Sequence, residues 1–374
     1  MRHITLKLSL ALLAACTLAT FAQTAPATKP THGDKPAATY PEGVPTPVIT
    51  DKFAADPHCV VIGDTYYIYP TVDKENWATT EFNVWSSKDL IHWKDEGVII
   101  DLAGKATGKQ DVSWANIRAW APGVVAKDGK VYDYFCADTN IGVAVADKPT
   151  GPFKDALGKP LVPKGAFRGQ MIDPCPFIDD DGTPYLFWGN GSLYAAKLNK
   201  DMISIEGGDN WKASVKTITP TWQGGGRFNE GVFVFKRKGT YYFSWSENDA
   251  RADNYQCAYG TSTSPFGPIK VPTGNARLFL ENDKRTDAAG KAAPVVKGTG
   301  HHSIINVPGT DDWYVIYHRH AVPGGNGFIR EVCLSKLEFA PNPAGADQPD
   351  IIKPVDVVHP AFPEGSKGEP VPAK

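Results

Sequence analysis

One unit recurs five times along this chain: an extended apolar run, a charged turn containing glycine, then an aromatic-rich run. The copies open with Cys59-Val60-Val61-Ile62, Gly123-Val124-Val125-Ala126, Cys175-Pro176-Phe177-Ile178, Val232-Phe233-Val234-Phe235 and Ser303-Ile304-Ile305-Asn306. They pass through turns at Gly63, Gly129, Gly182, Gly239 and Gly309 into segments such as Tyr66-Tyr67-Ile68-Tyr69 and Tyr241-Tyr242-Phe243. Turns of this chemistry between β-branched and aromatic runs mark β-hairpins. A third strand-like segment follows each pair, for example Val84-Trp85-Ser86-Ser87 or Glu331-Val332-Cys333-Leu334. Antiparallel units repeated in this way dispose of their free edges by packing radially round an axis. The expectation is an all-β fold, a five-bladed β-propeller over residues 51–345, forming a single domain with no C-terminal β-sandwich. No amphipathic helix of about 12 residues or more interrupts the pattern, which disfavours an α/β sheet.

The ends differ from the repeat. Residues 1–22 carry Arg2 and Lys7 ahead of the apolar stretch Leu8 to Ala15 and contain no carboxylate, as in an export signal. Two processing outcomes fit. Cleavage after Ala22 releases a free secreted or periplasmic chain, whereas Leu13-Ala14-Ala15-Cys16 resembles a bacterial lipobox whose Cys16 is lipidated; the apolar run continuing to Phe21 favours the first. Residues 23–50, rich in Ala, Thr, Pro and Lys, read as a mobile leader, and residues 346–374 as a tail closing or trailing the propeller. No later segment is apolar enough for a membrane span. With 39 Lys and Arg against 41 Asp and Glu, the chain lacks the basic surface that nucleic-acid binding requires. Cys59, Cys136, Cys175, Cys257 and Cys333 show no CxxC spacing and read as buried free thiols, although export permits one or two disulfides. The oligomeric state is left open.

Chemistry is expected where the innermost strand of each blade begins, because these ends converge on the axis. The five openings are Asp56-Pro57-His58, Trp120-Ala121-Pro122, Asp173-Pro174-Cys175, Asn229-Glu230-Gly231 and Gly300-His301-His302-Ser303. Three of the five thus bring a carboxylate to an equivalent place, and the prolines are expected to hold Asp56 and Asp173 extended. Carboxylates that converge repel one another and their pKa values separate, as acid/base chemistry requires. Glycoside hydrolysis uses two such groups, one protonating the leaving oxygen and one activating water or attacking carbon. An Asp-Pro turn without function is the plain alternative for either aspartate alone. A non-catalytic propeller that binds glycans is the competing class, and it has no need of all three acids.

Taken together, Ala55-Asp56-Pro57, Trp120-Ala121-Pro122, Ile172-Asp173-Pro174, Asn229-Glu230-Gly231 and Gly298-Thr299-Gly300-His301-His302-Ser303 resemble the blade-opening motifs of glycoside hydrolase family 43. The resemblance spans about residues 51–340. It implies a five-bladed propeller that cleaves arabinose, xylose or galactose linkages with inversion, from plant cell-wall polysaccharide or oligosaccharide. By position it makes Asp56 the general base, Asp173 the residue that tunes and orients the acid, and Glu230 the general acid. Retaining relatives such as the invertase group carry an Asn-Asp-Pro-Asn run, which Ala54-Ala55-Asp56-Pro57-His58 lacks. His301 matches an axial histidine that reaches a calcium ion in many members; because imidazole suits calcium less well than oxygen does, a water-mediated role is the natural one. Arg330, in Gly327-Phe328-Ile329-Arg330-Glu331, resembles an arginine directed at sugar hydroxyls, with a surface salt bridge as its alternative. Trp120 is a candidate wall for the sugar's apolar face or a plain core residue. Trp114, Trp222 and Phe228 are candidates for outer subsites, whereas His302, His318 and His320 read as packed, hydrogen-bonded histidines. No organic cofactor is expected, since neither Gly224-Gly225-Gly226 nor Pro323-Gly324-Gly325 lies between a strand and a helix.

Overall fold

The computed structural model describes residues 35–221 and 226–372. The expected signal segment with Cys16, and Trp222 with Gly224 and Gly225, lie outside the described residues. Twenty-one strands, three short 3-10 helices and a single four-residue α-helix, Trp211–Ser214, make up the regular structure among them.

Nineteen of the strands form five antiparallel sheets in chain order. Blade one contains β1 (Ala54–Ile62), β2 (Thr65–Val72), β3 (Glu81–Ser87) and β4 (Trp93–Asp101). Blade two contains β5 (Trp120–Lys127), β6 (Lys130–Ala137), β7 (Asn140–Ala146) and β8 (Lys154–Asp155). Blade three contains β9 (Cys175–Ile178), β10 (Pro184–Trp188), β11 (Tyr194–Lys197) and β12 (Lys216–Thr217). Blade four contains β13 (Glu230–Arg237), β14 (Thr240–Glu247), β15 (Gln256–Ser262) and β16 (Leu278–Leu280). Blade five has only β17 (Gly300–Asn306), β18 (Trp313–His320) and β19 (Arg330–Leu337); β20 (Phe339–Ala340) and β21 (Ile351–Ile352) pair apart from it. The innermost strands pack in sequence, β1 on β5, β5 on β9, β9 on β13 and β13 on β17, and β17 returns to β1, so the ring is closed.

Apolar and aromatic side chains on both faces of each blade meet those of its neighbours. Tyr69 and Phe82 of blade one pack with Val124 and Phe135 of blade two, and Ile68 and Trp85 with Ile316 and Leu334 of blade five. Tyr134 and Ile141 pack with Leu186 and Trp188 between blades two and three. A buried aromatic covers 150–250 Å², so at about 25 cal/mol per Å² each contributes roughly 4–6 kcal/mol as an upper estimate. All five cysteines among the described residues are buried free thiols.

The leader departs from its expected mobility. From Lys35 onward the chain lies along blade five, where a fourth strand would otherwise sit. Val48 N–H donates to Val332 O at 2.8 Å, Arg319 Nη2 to Pro45 O at 2.8 Å and Tyr40 Oη to Glu331 Oε1 at 2.7 Å, while Lys35 Nζ pairs with Glu331 at 2.7 Å. Composition did not disclose this because the segment is held at a few points, Val44, Ile49 and the Lys35–Glu331 pair, rather than along a periodic apolar face. The tail is also packed, with Phe362 stacked on Tyr314 at 5.3 Å and Tyr314 Oη donating to Glu369 Oε1 at 3.0 Å.

Candidate active site

Each innermost strand opens with the same backbone device. Asp56 (φ 49°), Ala121 (38°), Asp173 (57°), Gly231 (63°) and His301 (37°) all lie in the left-handed region. The pairing registers of blades one, two, four and five break at this point, between Ala55 and His58, Trp120 and Gly123, Glu230 and Phe233, and Gly300 and His302. The expectation that proline holds Asp56 and Asp173 extended is therefore wrong. A left-handed conformation costs a non-glycine residue about 1–2 kcal/mol, and contacts between blades offset it. The Asp56 N–H donates to His318 Nδ1 (3.2 Å), Ala121 N–H to Thr71 Oγ1 (2.8 Å), Gly231 N–H to Asp173 Oδ2 (2.8 Å) and His301 N–H to Ser246 Oγ (2.9 Å). In each case the acceptor belongs to the preceding blade round the ring. The same alignment corrects the placing of the three acids: Asp56 and Asp173 occupy the left-handed position, whereas Glu230 stands one residue earlier and Gly231 takes that position. A Cβ on Gly231 would come within 3.1 Å of both the His301 ring and Ser246 Oγ.

These ends surround an axial cleft of about 130 Å³ lined by Asp56, Asp173, Glu230, His301, Arg330, Trp77, Trp120, Ala121, Gln170, Ile172 and Ala250. All six residues proposed from the sequence for acid, base and sugar contact thus line one cavity. A wider depression of about 440 Å³ at the rim of blade two is lined by Lys130, Asp147, Lys148, Lys154 and Asp155 among others, with no aromatic wall and none of the axial acids.

Asp56 is 8% exposed and receives Arg330 bidentately, Nη1 to Oδ1 at 2.9 Å and Nη2 to Oδ2 at 3.3 Å. Burial pushes its carboxyl up, but Arg330, His301 and His318 outweigh burial and hold it well below the usual carboxylate range. Arg330 is itself fixed from behind: Nε and Nη2 donate to Asp73 Oδ2 and Oδ1 at 3.0 and 2.7 Å, and its backbone N–H donates to Asp73 Oδ2 at 2.9 Å. It is therefore neither a surface salt bridge nor a guanidinium free for sugar. Four of its five N–H bonds go to two carboxylates, which leaves one Nη1 hydrogen for a ligand in the cleft.

Glu230 keeps part of its surface open to the cleft and is held by neutral donors, Tyr255 Oη to Oε1 at 2.9 Å and Asn190 Nδ2 to Oε2 at 3.0 Å. Its packed surroundings push the carboxyl up to about 7; the two donors oppose this and the charges of Asp56 and Asp249 add to it. Asp173 is raised well above the usual range by burial and by the charges of Glu230 and Asp56. The two titrate as a pair.

His301 Nδ1 lies 3.3 Å from Asp56 Oδ1 and 3.9 Å from Asp173 Oδ2, and burial lowers its pKa against the pull of Asp56. Among the described residues no group of three or more His, Cys, Asp or Glu side chains forms a cation cage there. An ion beside His301 would draw its remaining ligands from water. Trp120 donates Nε1–H to Trp77 O at 2.9 Å and meets the Trp77 ring edge-on at 6.2 Å. Trp77 is in turn tied to Gly327 O at 2.7 Å and packs on Phe328 at 4.6 Å.

Sequence reasoning missed Trp77, Asp73, Asn190 and Tyr255, which lie outside the blade-opening motifs. His318, read only as packed, places Nδ1 3.2 Å from Asp56 Oδ1. Two subsite candidates are corrected. Trp114 stacks on Phe135 at 5.8 Å with Nε1–H donating to Asp155, and Phe228, 4% exposed, belongs to the core around blade four.

The model of the family described as "Glycosyl hydrolases family 43" matches residues 45–343. A β-D-galactofuranosidase of Aspergillus niger is 32% identical over 78% of this chain and 80% of its own length. An arabinoxylan arabinofuranohydrolase of Paenibacillus polymyxa is 31% identical over 77% of this chain, which spans only 48% of that protein. Among solved structures, a β-xylosidase/α-arabinofuranosidase from a compost microbial metagenome, determined with xylotriose in a calcium-free form, superposes with a TM-score of 0.64 at 26% identity, covering 83% of this chain and 96% of the other.

Proposed function

The chain belongs to glycosyl hydrolase family 43 and is a glycoside hydrolase, and on that premise we propose that it is exported and removes pentose residues, α-L-arabinofuranosyl or β-D-xylosyl, from plant cell-wall glycans with inversion. One observation carries this reading: two carboxyls face one small cleft, and their different partners drive their pKa values in opposite directions. Asp56, kept ionised by Arg330, acts as general base on a water molecule. Glu230, raised to about 7, arrives protonated and donates to the departing glycosidic oxygen. Asp173 shares the acid's proton equilibrium, and its Oδ2 receives the Gly231 N–H beside Glu230, so it orients as well as tunes. Trp77 and Trp120 offer aromatic surface to the sugar's apolar face, and the remaining Arg330 hydrogen a donor to a hydroxyl.

Family names among the relatives support pentoside specificity, and a narrow cleft suits a single terminal residue. A hexofuranoside reading has one observation in its favour, the 32% identity to a β-D-galactofuranosidase. α-L-Arabinofuranose and β-D-galactofuranose share ring configuration and differ at the exocyclic carbon. The export reading rests on Arg2, Lys7 and the apolar stretch that follows. Hydrolysis of nitrophenyl arabinofuranosides, xylosides and galactofuranosides, with NMR detection of the first-formed anomer, tests linkage and stereochemistry together. A retained anomer defeats the base assignment of Asp56. Measurable glycan affinity without turnover on any of these substrates defeats the enzymatic pentoside reading.

A further inference from the structure

Tyr255 touches Glu230 directly and Asp56 by way of His318. Its hydroxyl donates to Glu230 Oε1 at 2.9 Å, and its ring stacks on the His318 imidazole with centroids 5.6 Å apart and planes 8° from parallel. His318 in turn sets Nδ1 3.2 Å from both the backbone nitrogen and Oδ1 of Asp56. Tyr255 is fully buried, and its seat is cut to fit: a Cβ on Gly300 would lie 2.2 Å from Tyr255 Cδ1. The stack joins a residue just before β15 of blade four to β18 of blade five, and β18 packs on β1, so the contacts run from the acid's blade four through blade five to the base's blade one.

We propose, resting on the assignment of Glu230 as acid and Asp56 as base, that Tyr255 is a positioning residue which fixes the two carboxyls relative to one another, Glu230 through its hydroxyl and Asp56 through the stacked His318. Asn190 is the second donor on Glu230, acting at Oε2. The charged and titratable groups that face Glu230 besides Tyr255 are Asp56, Asp173, Asp249 and Arg251, with Arg330 and His301 across the cleft. Because a neutral donor favours the ionised carboxylate, removing the hydroxyl raises the pKa of Glu230. The acid then stays protonated to higher pH but is less well aimed.

The test is Tyr255→Phe in the full chain, assayed on glycosides with poor (alkyl) and good (dinitrophenyl) leaving groups across pH. The expected result is a loss in kcat of about 3- to 10-fold on poor leaving groups, the scale of one lost hydrogen bond, with little change in KM. Dinitrophenyl glycosides, which depart without protonation, are expected to lose far less, and the alkaline limb of the kcat/KM profile to move to higher pH. Asn190→Ser, which spares the stack, is expected to move the same limb in the same direction by less. His318→Phe, which keeps a ring against Tyr255 but removes Nδ1, is expected to move the acid limb and leave the alkaline limb in place. Equal losses on both leaving-group classes in folded Tyr255→Phe, with both limbs unmoved, overturn the proposal. A leaving-group-independent loss in Glu230→Gln instead defeats the acid assignment itself, so the two failures are told apart.

Discussion

The two sides of the cleft hold desolvated carboxyls by opposite means. Asp56 faces a guanidinium that is itself locked by Asp73, whereas Glu230 faces a phenol and an amide. Burial acts on both in the same direction, so the partner decides the outcome: a full positive charge outweighs desolvation, and two neutral hydrogen bonds do not. Asp133 in β6 extends the comparison. It is wholly buried between blades one and two, neither oxygen has a partner among the described residues, and burial alone pushes it up to about 8. A buried acid thus stands with a cation, with neutral donors, or with nothing.

Replacing either functional acid breaks the comparison outright. Asp56→Asn and Glu230→Gln are expected to lower kcat about 10²- to 10⁴-fold, the usual worth of a general base or acid, with the thermal transition retained; near-normal turnover in either one removes that residue from its role. Removing the cation comes next. Arg330→Met leaves Asp56 and Asp73 buried without their charge partner, which costs about 3–5 kcal/mol of stability and lets burial raise Asp56, so the acid limb of kcat/KM moves to higher pH. An unmoved acid limb in a folded Arg330→Met protein means that Asp56 is not the group that limb reports.

The pH profile of the native enzyme sharpens the contrast without mutation. With Asp56 held well below the usual carboxylate range and Glu230 near 7, kcat/KM is expected to stay flat through weakly acidic pH and fall as pH passes about 7. A fall that begins at pH 4 to 5 on the way up contradicts a raised Glu230. The smallest effect belongs to Asp133. Because its folded pKa lies above that of the unfolded chain, it binds more protons when folded and lowers stability progressively as pH rises from about 4 to 8. Asp133→Asn is expected to lose this slope and to gain about 1–3 kcal/mol over the native chain at the alkaline end, read by denaturant unfolding at pH 5 and pH 8. Parallel curves at the two pH values refute the buried, unpartnered state of Asp133.

What the sequence disclosed and what it withheld divide along chain separation. The five hairpins were legible because turn residues and the strands they join lie next to one another, and registers such as Ile62 with Thr65 and Arg237 with Thr240 follow from two-residue turns. The acids were legible because the repeat made their positions comparable. Their partners were not: Arg330 meets Asp56 across 274 residues and His318 meets it across 262, contacts that exist only once the ring has closed. Local rules also gave way to that closure. The preference of a residue before proline for extended backbone lost at Asp56 and Asp173, where each strand mouth is held by a side chain of the blade before it or, at Asp173, itself holds the next. Arg330 read as surface or substrate-facing because no local pattern announces that Asp73 lies behind it.

The union of first and last blades bears on how this enzyme comes into being. During synthesis Asp56 emerges early, yet the imidazole that braces it and the guanidinium that ionises it follow only 262 and 274 residues later. No shortened chain that ends before β19 can therefore assemble the Asp56–Arg330 pair, however many blades it completes. On the proposed role of Asp56, turnover becomes a readout of finished circularisation, and a nascent or truncated product is silent.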